Sequence, residues 1–314
     1  MSRKSERLSP RWWTVAALAL AVALPLLPGG YVLYIASLVL IYVLASFGTN
    51  ILTGYTNLIS LAGATFFGIG AYGTAILSAR FGLPLPLAML LAAGLATLIG
   101  LLLALPVLRL EEVFLAIATL GFVMIFAELA KQGGALTGGE SGMPGPSPKL
   151  FGLALGERGY YLYIVVVLGA CLWMAHNLSD SRFGRGFLAL KGSEIAARSL
   201  GLNAPRLKLA AFGLCAFYTG MAGTMFGPLV RFVDPSVFDI MVSISFVSMI
   251  IIGGVGSVWG SVLGALFVAG APQVLTYVGL DNVQRSLYGV AMILSLMFLP
   301  DGLAGLLKRR GAKP

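Results

Sequence analysis

Apolar stretches of about 20 residues recur along almost the whole chain, at 12–28, 31–52, 58–79, 84–107, 112–131, 160–178, 209–229, 238–254, 258–276 and 284–299. A helix of about 20 residues just crosses the roughly 30 Å hydrocarbon layer of a bilayer. No water is at hand inside that layer for unpaired N–H and C=O groups, so each stretch must be a helix that satisfies its own backbone. Composition agrees: 58% of the 314 residues are hydrophobic and 11% charged, with a mean hydropathy of +0.93, against about 25% charged in soluble domains. The expected fold is all-α, a polytopic transmembrane helical bundle of about ten spans forming a single domain over 1–314. The third, eighth and ninth stretches are rich in glycine and are the candidates for broken or re-entrant helices.

The 21 Lys and Arg residues against 12 Asp and Glu give a formal charge of +9, and their placement orients the bundle. With both termini inside, the cytoplasmic segments carry Arg3, Lys4, Arg7 and Arg11 in the N-terminus 1–11, Arg109, six bases in 179–208, and Lys308, Arg309, Arg310 and Lys313 in the tail 300–314. The outer segments keep Arg80, Lys131, Lys149, Arg158, Arg231 and Arg285. Fifteen inside against six outside follows the positive-inside bias. The charge is thus accounted for by topology and by lipid headgroups, and no nucleic-acid partner is expected. The stretch at 12–28 follows a basic segment as a signal peptide would, but a second stretch begins directly after Gly29 and Gly30 and no small-residue cleavage site is evident. It is read as a retained first span. Cys171 and Cys215 fall inside expected spans without Cys-x-x-Cys spacing, so neither a disulfide nor a metal site is indicated.

Between the sixth and seventh stretches lies a polar island, Ser179 to Lys208, with Arg182, Arg185, Lys191, Arg198, Arg206 and Lys208 against Asp180 and Glu194. One short helix is expected inside it. Ser193 suits an N-cap, Glu194 the positive end of the helix dipole and Gly201 the left-handed residue past the end, while Pro205 forbids continuation. What remains, EIAARSL, is about two turns and too short to be stable alone in water. A short helix pinned between two spans is placed to touch a partner.

Two further regions stand out. The outer segment 132–159 contains LTGGESGMPGPSP, whose glycines and prolines exclude regular helix. Long irregular loops are often functional, although a passive linker between two halves has the same composition. Gly54 to Tyr72 and Gly253 to Gly264 are apolar segments studded with small residues, one in each half of the chain. Unwound backbone in such paired segments offers donors and acceptors to a solute at mid-membrane. Close helix packing through small residues explains the same pattern, for example through Gly63, Phe67 and Ala71 or Gly260 and Gly264.

The chemistry of an enzyme is missing. His176, at the inner end of the sixth stretch, reads as an interfacial side chain. Glu111 and Glu112 suit a helix N-terminus, Glu128 and Lys131 an ion pair one turn apart, and Asp234 and Asp239 lie in the outer loop before the eighth stretch. No carboxylate or histidine lies at mid-membrane to couple transport to protons, and no GxxxxGK[ST] loop is present to bind ATP. Uphill transport would draw its energy from another subunit.

Five runs, in order, carry a resemblance. They are LRLEEVFLAIATLGF at 108–122, LTGGESGMPG at 136–145, SRFGRGFLALKGSEIAARSLG at 181–201, IIGGVGSVWGSVLGA at 251–265 and LPDGLAGLL at 299–307. Together they resemble the inner-membrane permease subunits of bacterial ABC importers for branched-chain amino acids, of the LivM type. Glu112 and Val113 depart from the family's usual run, and Gly186 stands where alanine is usual. In the third stretch Ser60, Ala64, Phe66, Phe67, Gly68, Gly70, Ala71 and Tyr72 fit the family pattern, Ala62 replaces a glycine, and Gly63 occupies the place of a polar side chain. That last departure bears on which solute passes.

The resemblance implies a non-enzymatic permease with no cofactor of its own, ATP being bound by partner subunits. Its expected partners are a second homologous permease, two cytoplasmic ATPase subunits, an extracytoplasmic solute-binding protein and membrane lipid. It implies a multi-pass protein of the inner membrane, in which Glu194 to Gly201 is the coupling helix that docks on an ATPase. The expected coupling residues are Arg182, Arg185, Glu194, Ala196, Ala197 and Gly201. Pathway candidates are Ser60, Gly63, Thr65, Phe66, Tyr72, Thr119, Gly253, Gly254 and Gly256, and the loop offered to the binding protein holds Thr137, Gly138, Gly139 and Gly142. Branched-chain or other apolar amino acids are the expected solute. Urea, an amide or another amino acid, a stand-alone channel or carrier, and a homodimeric pairing remain as alternatives; a membrane-embedded enzyme is the reading that the missing catalytic cluster disfavours.

Overall fold

A computed structural model describes residues 30–107, 112–134, 136–150, 153–179, 181–277, 289 and 302–305. The stretch at 12–28, all of 284–299 but residue 289, the N-terminus, most of the tail, Arg109, Glu111 and Asp180 lie outside the described residues. Among the described residues the regular structure is helical apart from four two-residue strands. In order come α1 (Gly30–Thr56), α2 (Gly63–Phe81), α3 (Leu85–Val107), α4 (Glu112–Gln132), α5 (Glu157–Ser179), α6 (Arg182–Gly192), α7 (Glu194–Ser199) and α8 (Ala204–Val230). Then α9 (Ile240–Gly253) is followed by α10 (Val258–Ala265), which runs through a π-helical turn, Leu266–Gly270, into α11 (Ala271–Tyr277). Among the described residues, five helices are long and apolar enough to cross a membrane, or six if one bent pair is a single span.

That bent pair alters the reading of the sequence. The eighth and ninth stretches, taken as two spans, are α9 and the helical run Val258–Gln273, which turn on each other by 118° across residues 254–257. The cause is local. Gly254 (φ 120°) and Gly256 (φ 78°) take left-handed backbone that side chains disfavour. Ser257 then caps α10 by accepting from the Gly260 N–H at 3.3 Å. The two arms press together because a Cβ on Gly253 would strike the Gly260 carbonyl and one on Gly264 the Met249 carbonyl. The third stretch, by contrast, is not broken within its helix: α2 is continuous, and the nonhelical residues 57–62 precede it, opening with Asn57 at φ 58°.

The break is held by α1. Asn50, fully buried in α1, donates through Nδ2 to the Ser257 carbonyl (2.8 Å) and to Ser261 Oγ (2.9 Å), and its Oδ1 accepts from the Gly256 N–H (2.9 Å). Gly54, one turn further on, has no room for a side chain, since a Cβ would meet the same Asn50 oxygen and approach the Gly256 nitrogen to 2.5 Å. The two glycine-rich segments, one from each half of the sequence, therefore meet in space at their polar-island ends.

The centre of the bundle is α8, with 78% of its apolar window buried, packed on α1, α2 and α3. Backbone runs close to backbone there: a Cβ on Gly223 would collide with the Phe67 carbonyl and one on Gly70 with that of Gly220. Buried tyrosines find carbonyls, Tyr160 donating to Met225 O (2.7 Å) and Tyr218 to Cys171 O (3.2 Å). The segment 132–159 carries more order than its composition suggests. Met143–Pro144 pairs antiparallel with Phe232–Val233, and Lys149–Leu150 with Leu153–Ala154.

Replacing Asn50 with Ala would leave the half-buried Gly256 N–H and Ser257 carbonyl, and the buried Ser261 hydroxyl, without their partner. An apparent loss of about 2–4 kcal/mol is expected for a buried, multiply bonded amide, read as a lowered thermal midpoint in detergent. An unchanged midpoint would mean that the break holds its shape without α1.

Candidate functional site

The structure divides eight of the nine pathway candidates into two groups and leaves Phe66 outside both. One surrounds a cluster of aromatic rings. Phe67 is its hub, with ring centroids 5.2 Å from Phe226, 5.6 Å from Phe246 and 6.0 Å from Phe238, while Tyr42 of α1 lies 5.7 Å from Phe246. Gly63 faces this cluster: a Cβ there would lie 2.9 Å from the Phe246 ring, so an aromatic edge fills the place where the resembled family has a polar side chain. Next to it, the Ala64 N–H donates to Ser243 Oγ of α9 (2.9 Å). Ser60 Oγ accepts from the Ala62 N–H (3.3 Å), and Thr119 Oγ of α4 accepts from the Leu61 N–H (3.0 Å), which ties the start of α2 to α4. Thr65 and Tyr72 are buried with unpartnered hydroxyls. Phe66 stands apart, turned toward Gly100 of α3. Gly253, Gly254 and Gly256 form the second group, at the Asn50 hub.

Asn50, Phe126, Phe238 and Phe246 were not singled out by the sequence. Asn50 carried a signal, a lone amide in an apolar stretch that must be satisfied from another helix. The phenylalanines carried none, because composition makes any aromatic in a membrane helix ordinary.

The polar island holds two helices rather than the one expected. The first, α6, opens with Ser181 accepting from the Phe183 and Gly184 N–H groups (3.2 and 3.4 Å) and buries Gly184, Gly186, Phe187 and Leu190. Its glycines hid it in the sequence, where they count against helix; a Cβ on Gly186 would sit 2.8 Å from Leu207, so that residue serves close packing on α8. The second, α7, has the expected caps: Ser193 Oγ accepts from the Ala196 N–H (3.3 Å), Gly201 is left-handed (φ 78°), and the Leu202 N–H returns to the Ala197 carbonyl (3.1 Å). Pro205 does more than end it. With Asn203 accepting from the Arg206 N–H (3.1 Å), it sits in the first turn of α8, so Arg206 and Lys208 belong to that long helix.

An ion triad fixes α7. Glu194 Oε1 takes Arg198 Nη2 at 2.6 Å and Oε2 takes Lys208 Nζ at 2.7 Å, clamping α7 onto α8. The hydrogen bond from Lys208, then the charges and Arg198, hold the Glu194 carboxyl below its ordinary value of 4.5 against an opposing push from partial burial. Of the expected coupling residues, Ala197 is 1% exposed and faces inward, Ala196 and Arg182 are exposed, and Ile195 and Leu200 stand out at 80% and 79%. Lys191 at the end of α6 reaches the break, its Nζ 3.1 Å from the Cβ position of Gly256.

At the opposite end, Gly138, Gly139 and Gly142 all have positive φ (81°, 63° and 68°) and Thr137 Oγ donates to the Ala130 carbonyl (2.7 Å), shaping a tight loop beyond α4. Asp234 and Asp239 act as caps, accepting from the Ser236 and Val242 N–H groups (2.8 and 3.1 Å). Glu128 is engaged by Gln132 Nε2 at 2.6 Å, one turn along, where the sequence suggested Lys131.

A family model described as "Branched-chain amino acid transport system / permease component" matches residues 31–296. The chain belongs to this permease family. It is similar to the high-affinity branched-chain amino acid transport system permease protein LivM of Escherichia coli K12, 33% identical over 92% of this chain and 73% of the relative. The LivM protein of Salmonella typhimurium LT2 is 32% identical over the same shares. A ribose import permease, RbsC of Haemophilus influenzae, matches at 23% over 46% of this chain and 45% of its own length. No solved structure matches the chain. The family is one of transport permeases, not enzymes, and the chain is a multi-pass membrane protein with the helical architecture above.

Because the folded pKa of Glu194 is depressed, the clamp is complete above the ordinary carboxylate range and is lost as pH falls through the depressed value. A spin label at the exposed Ser199 should report immobile α7 at neutral pH and rising mobility only in acid. Glu194→Gln should be mobile throughout; equal mobility of the two proteins at neutral pH would exclude the clamp.

Proposed function

We propose that this chain is one permease of an ATP-driven importer in the bacterial inner membrane, moving branched-chain or other apolar amino acids. The observation that carries the reading is α7. Six residues long, it is too short to persist alone, yet two caps and an ion triad hold it rigid while Ile195 and Leu200 point away from the protein. An exposed apolar pair on a locked helix suits insertion into a groove on a cytoplasmic ATPase, with Arg182 and Arg198 steering toward acidic groups. The push of ATP-driven closure then has a rigid route. It runs through the Glu194–Lys208 pair into α8, and through α6 and Lys191 to the break beside Asn50.

This assignment puts the island and both termini in the cytoplasm, and the Thr137–Gly142 loop outside, where a solute-binding protein delivers its ligand. The ten-stretch reading of the sequence becomes nine crossings if the bent pair is a single span, which would put the two termini on opposite sides, and eight if it is re-entrant, which keeps both inside. A second, homologous permease would cover α4. Only 22% of its apolar window is buried, and Phe114, Ile117, Met124 and Ile125 are exposed along one face with open space at Gly121. The likeness to LivM supports branched-chain amino acids as solute, and the aromatic ring facing Gly63 suits an apolar side chain. A stand-alone channel or carrier gives α7 no role.

Two measurements test the proposal. Affinity purification in mild detergent should recover an ATPase pair and a second permease, whereas this chain alone would favour a channel or carrier. In reconstituted vesicles Ile195→Asp should cut ATP-driven leucine uptake about tenfold, roughly the 1.4 kcal/mol that one factor of ten represents, with the thermal midpoint unchanged. Normal uptake would remove α7 from the contact.

A further inference from the structure

Among the described residues three buried side-chain hydroxyls have no hydrogen-bond partner: Ser46, Thr65 and Tyr72. Their neighbours in sequence and type solve the problem. Thr49, Thr74 and Thr119 each donate to the carbonyl four residues back, and the buried Tyr160 and Tyr218 reach carbonyls on other helices. Thr65 cannot do so in the same way, because it lies in the first turn of α2 and Leu61, four residues back, is outside the helix. Burying a hydroxyl unpaired is a net loss of stability. Such a loss is tolerated where function uses the group.

Thr65 (0% exposed) and Tyr72 (4%) share one face of α2, at i and i+7, with Gly68 between them. That face looks at α4. A Cβ on Gly68 would strike the Phe126 ring and lie 3.0 Å from Phe238, and the Tyr72 ring is 6.5 Å from Phe126 and 5.6 Å from Phe238. Seven residues before Gly68 and before Phe126, Leu61 and Thr119 are joined by a hydrogen bond, so α2 and α4 run side by side in the same direction. The wall of the seam opposite Thr65 and Tyr72 is α4, the long helix with the least burial.

We infer that the α2–α4 seam is the solute's route, with the Tyr72 and Thr65 hydroxyls as two successive hydrogen-bonding stations for the polar end of a zwitterionic amino acid whose apolar side chain slides over Phe126 and Phe238. The inference rests on the importer reading above and adds to it the contacts and the solute class. Seven helical residues separate the stations by about 10 Å, a step that a small amino acid makes by handing its carboxylate from one hydroxyl to the next. The contact residues named here carry no charge. A zwitterion brings its own balance, its ammonium can rest on the ring faces, and neutral hydroxyls bind weakly enough to let go.

The test uses vesicles carrying the full chain with the subunits that co-purify with it and its binding protein, supplied with a labelled mixture of the twenty proteinogenic amino acids. Thr65→Val and Tyr72→Phe remove one hydroxyl each at nearly constant volume. Each should lower uptake about fivefold while the thermal midpoint stays level or rises and binding-protein-stimulated ATP hydrolysis continues; Thr65→Ser should restore uptake. Unchanged uptake in both variants overturns the inference, as does a wild type that takes up none of the mixture. A fall in uptake matched by a lowered midpoint and not rescued by serine assigns the residues to packing and also overturns it. Uptake that needs no ATP but still falls in Thr65→Val sinks the importer reading and leaves the seam standing.

Discussion

The geometry of this protein depends on one buried amide. Asn50 sits in an apolar helix where an unpaired amide would be costly, and its three hydrogen bonds go to Gly256 and Ser257 in the break between α9 and α10 and to Ser261 in the helix just beyond it. Residues 254–257 cannot satisfy their own backbone as a helix would, so the partner must come from elsewhere. The two needs cancel each other. Gly254 and Gly256 make the bend, and the Asn50 bonds hold it against α1 and bring the two glycine-rich segments together.

Glycine supplies the rest of the architecture by letting backbones touch. The contacts of Gly70 and Gly223 bring α2 and α8 together with no side chain between them, which places Phe67 at the centre of the rings and turns the Thr65–Tyr72 face away from α8 toward α4. The bundle is thus uneven by construction. Its α8 side is dense and its α4 side is thinly covered, and two of the three unpartnered hydroxyls, Thr65 and Tyr72, lie on the thin side.

At the polar end, electrostatics does the work that burial does in the interior. Glu194 holds two cations at once, one on its own helix and one on α8. Its side chain is about a third exposed, so each pair is individually modest and solvent-screened; their value is in fixing an orientation. Ala197 faces inward and Ile195 and Leu200 outward because of it, and the apolar pair is displayed where a freely moving helix would fold it away.

The sequence by itself determined the class of the fold, the place of most of the described helices, the caps of α7 and the family. Those features are local: length against bilayer thickness, a serine before a glutamate, a glycine after the last turn, and short motifs in a fixed order. The tertiary structure decided what depends on distance. It showed that the eighth and ninth stretches form one bent pair, that the island holds a second helix whose Gly186 packs on Leu207, that Pro205 opens α8, and that Gly63 and Gly253 answer to different neighbours. A glycine reads the same in a sequence whether it breaks a helix, caps one or admits another backbone, because its only property is the absence of a side chain; what fills that absence is set by the fold, and can lie as far along the chain as Gly256 is from Gly54.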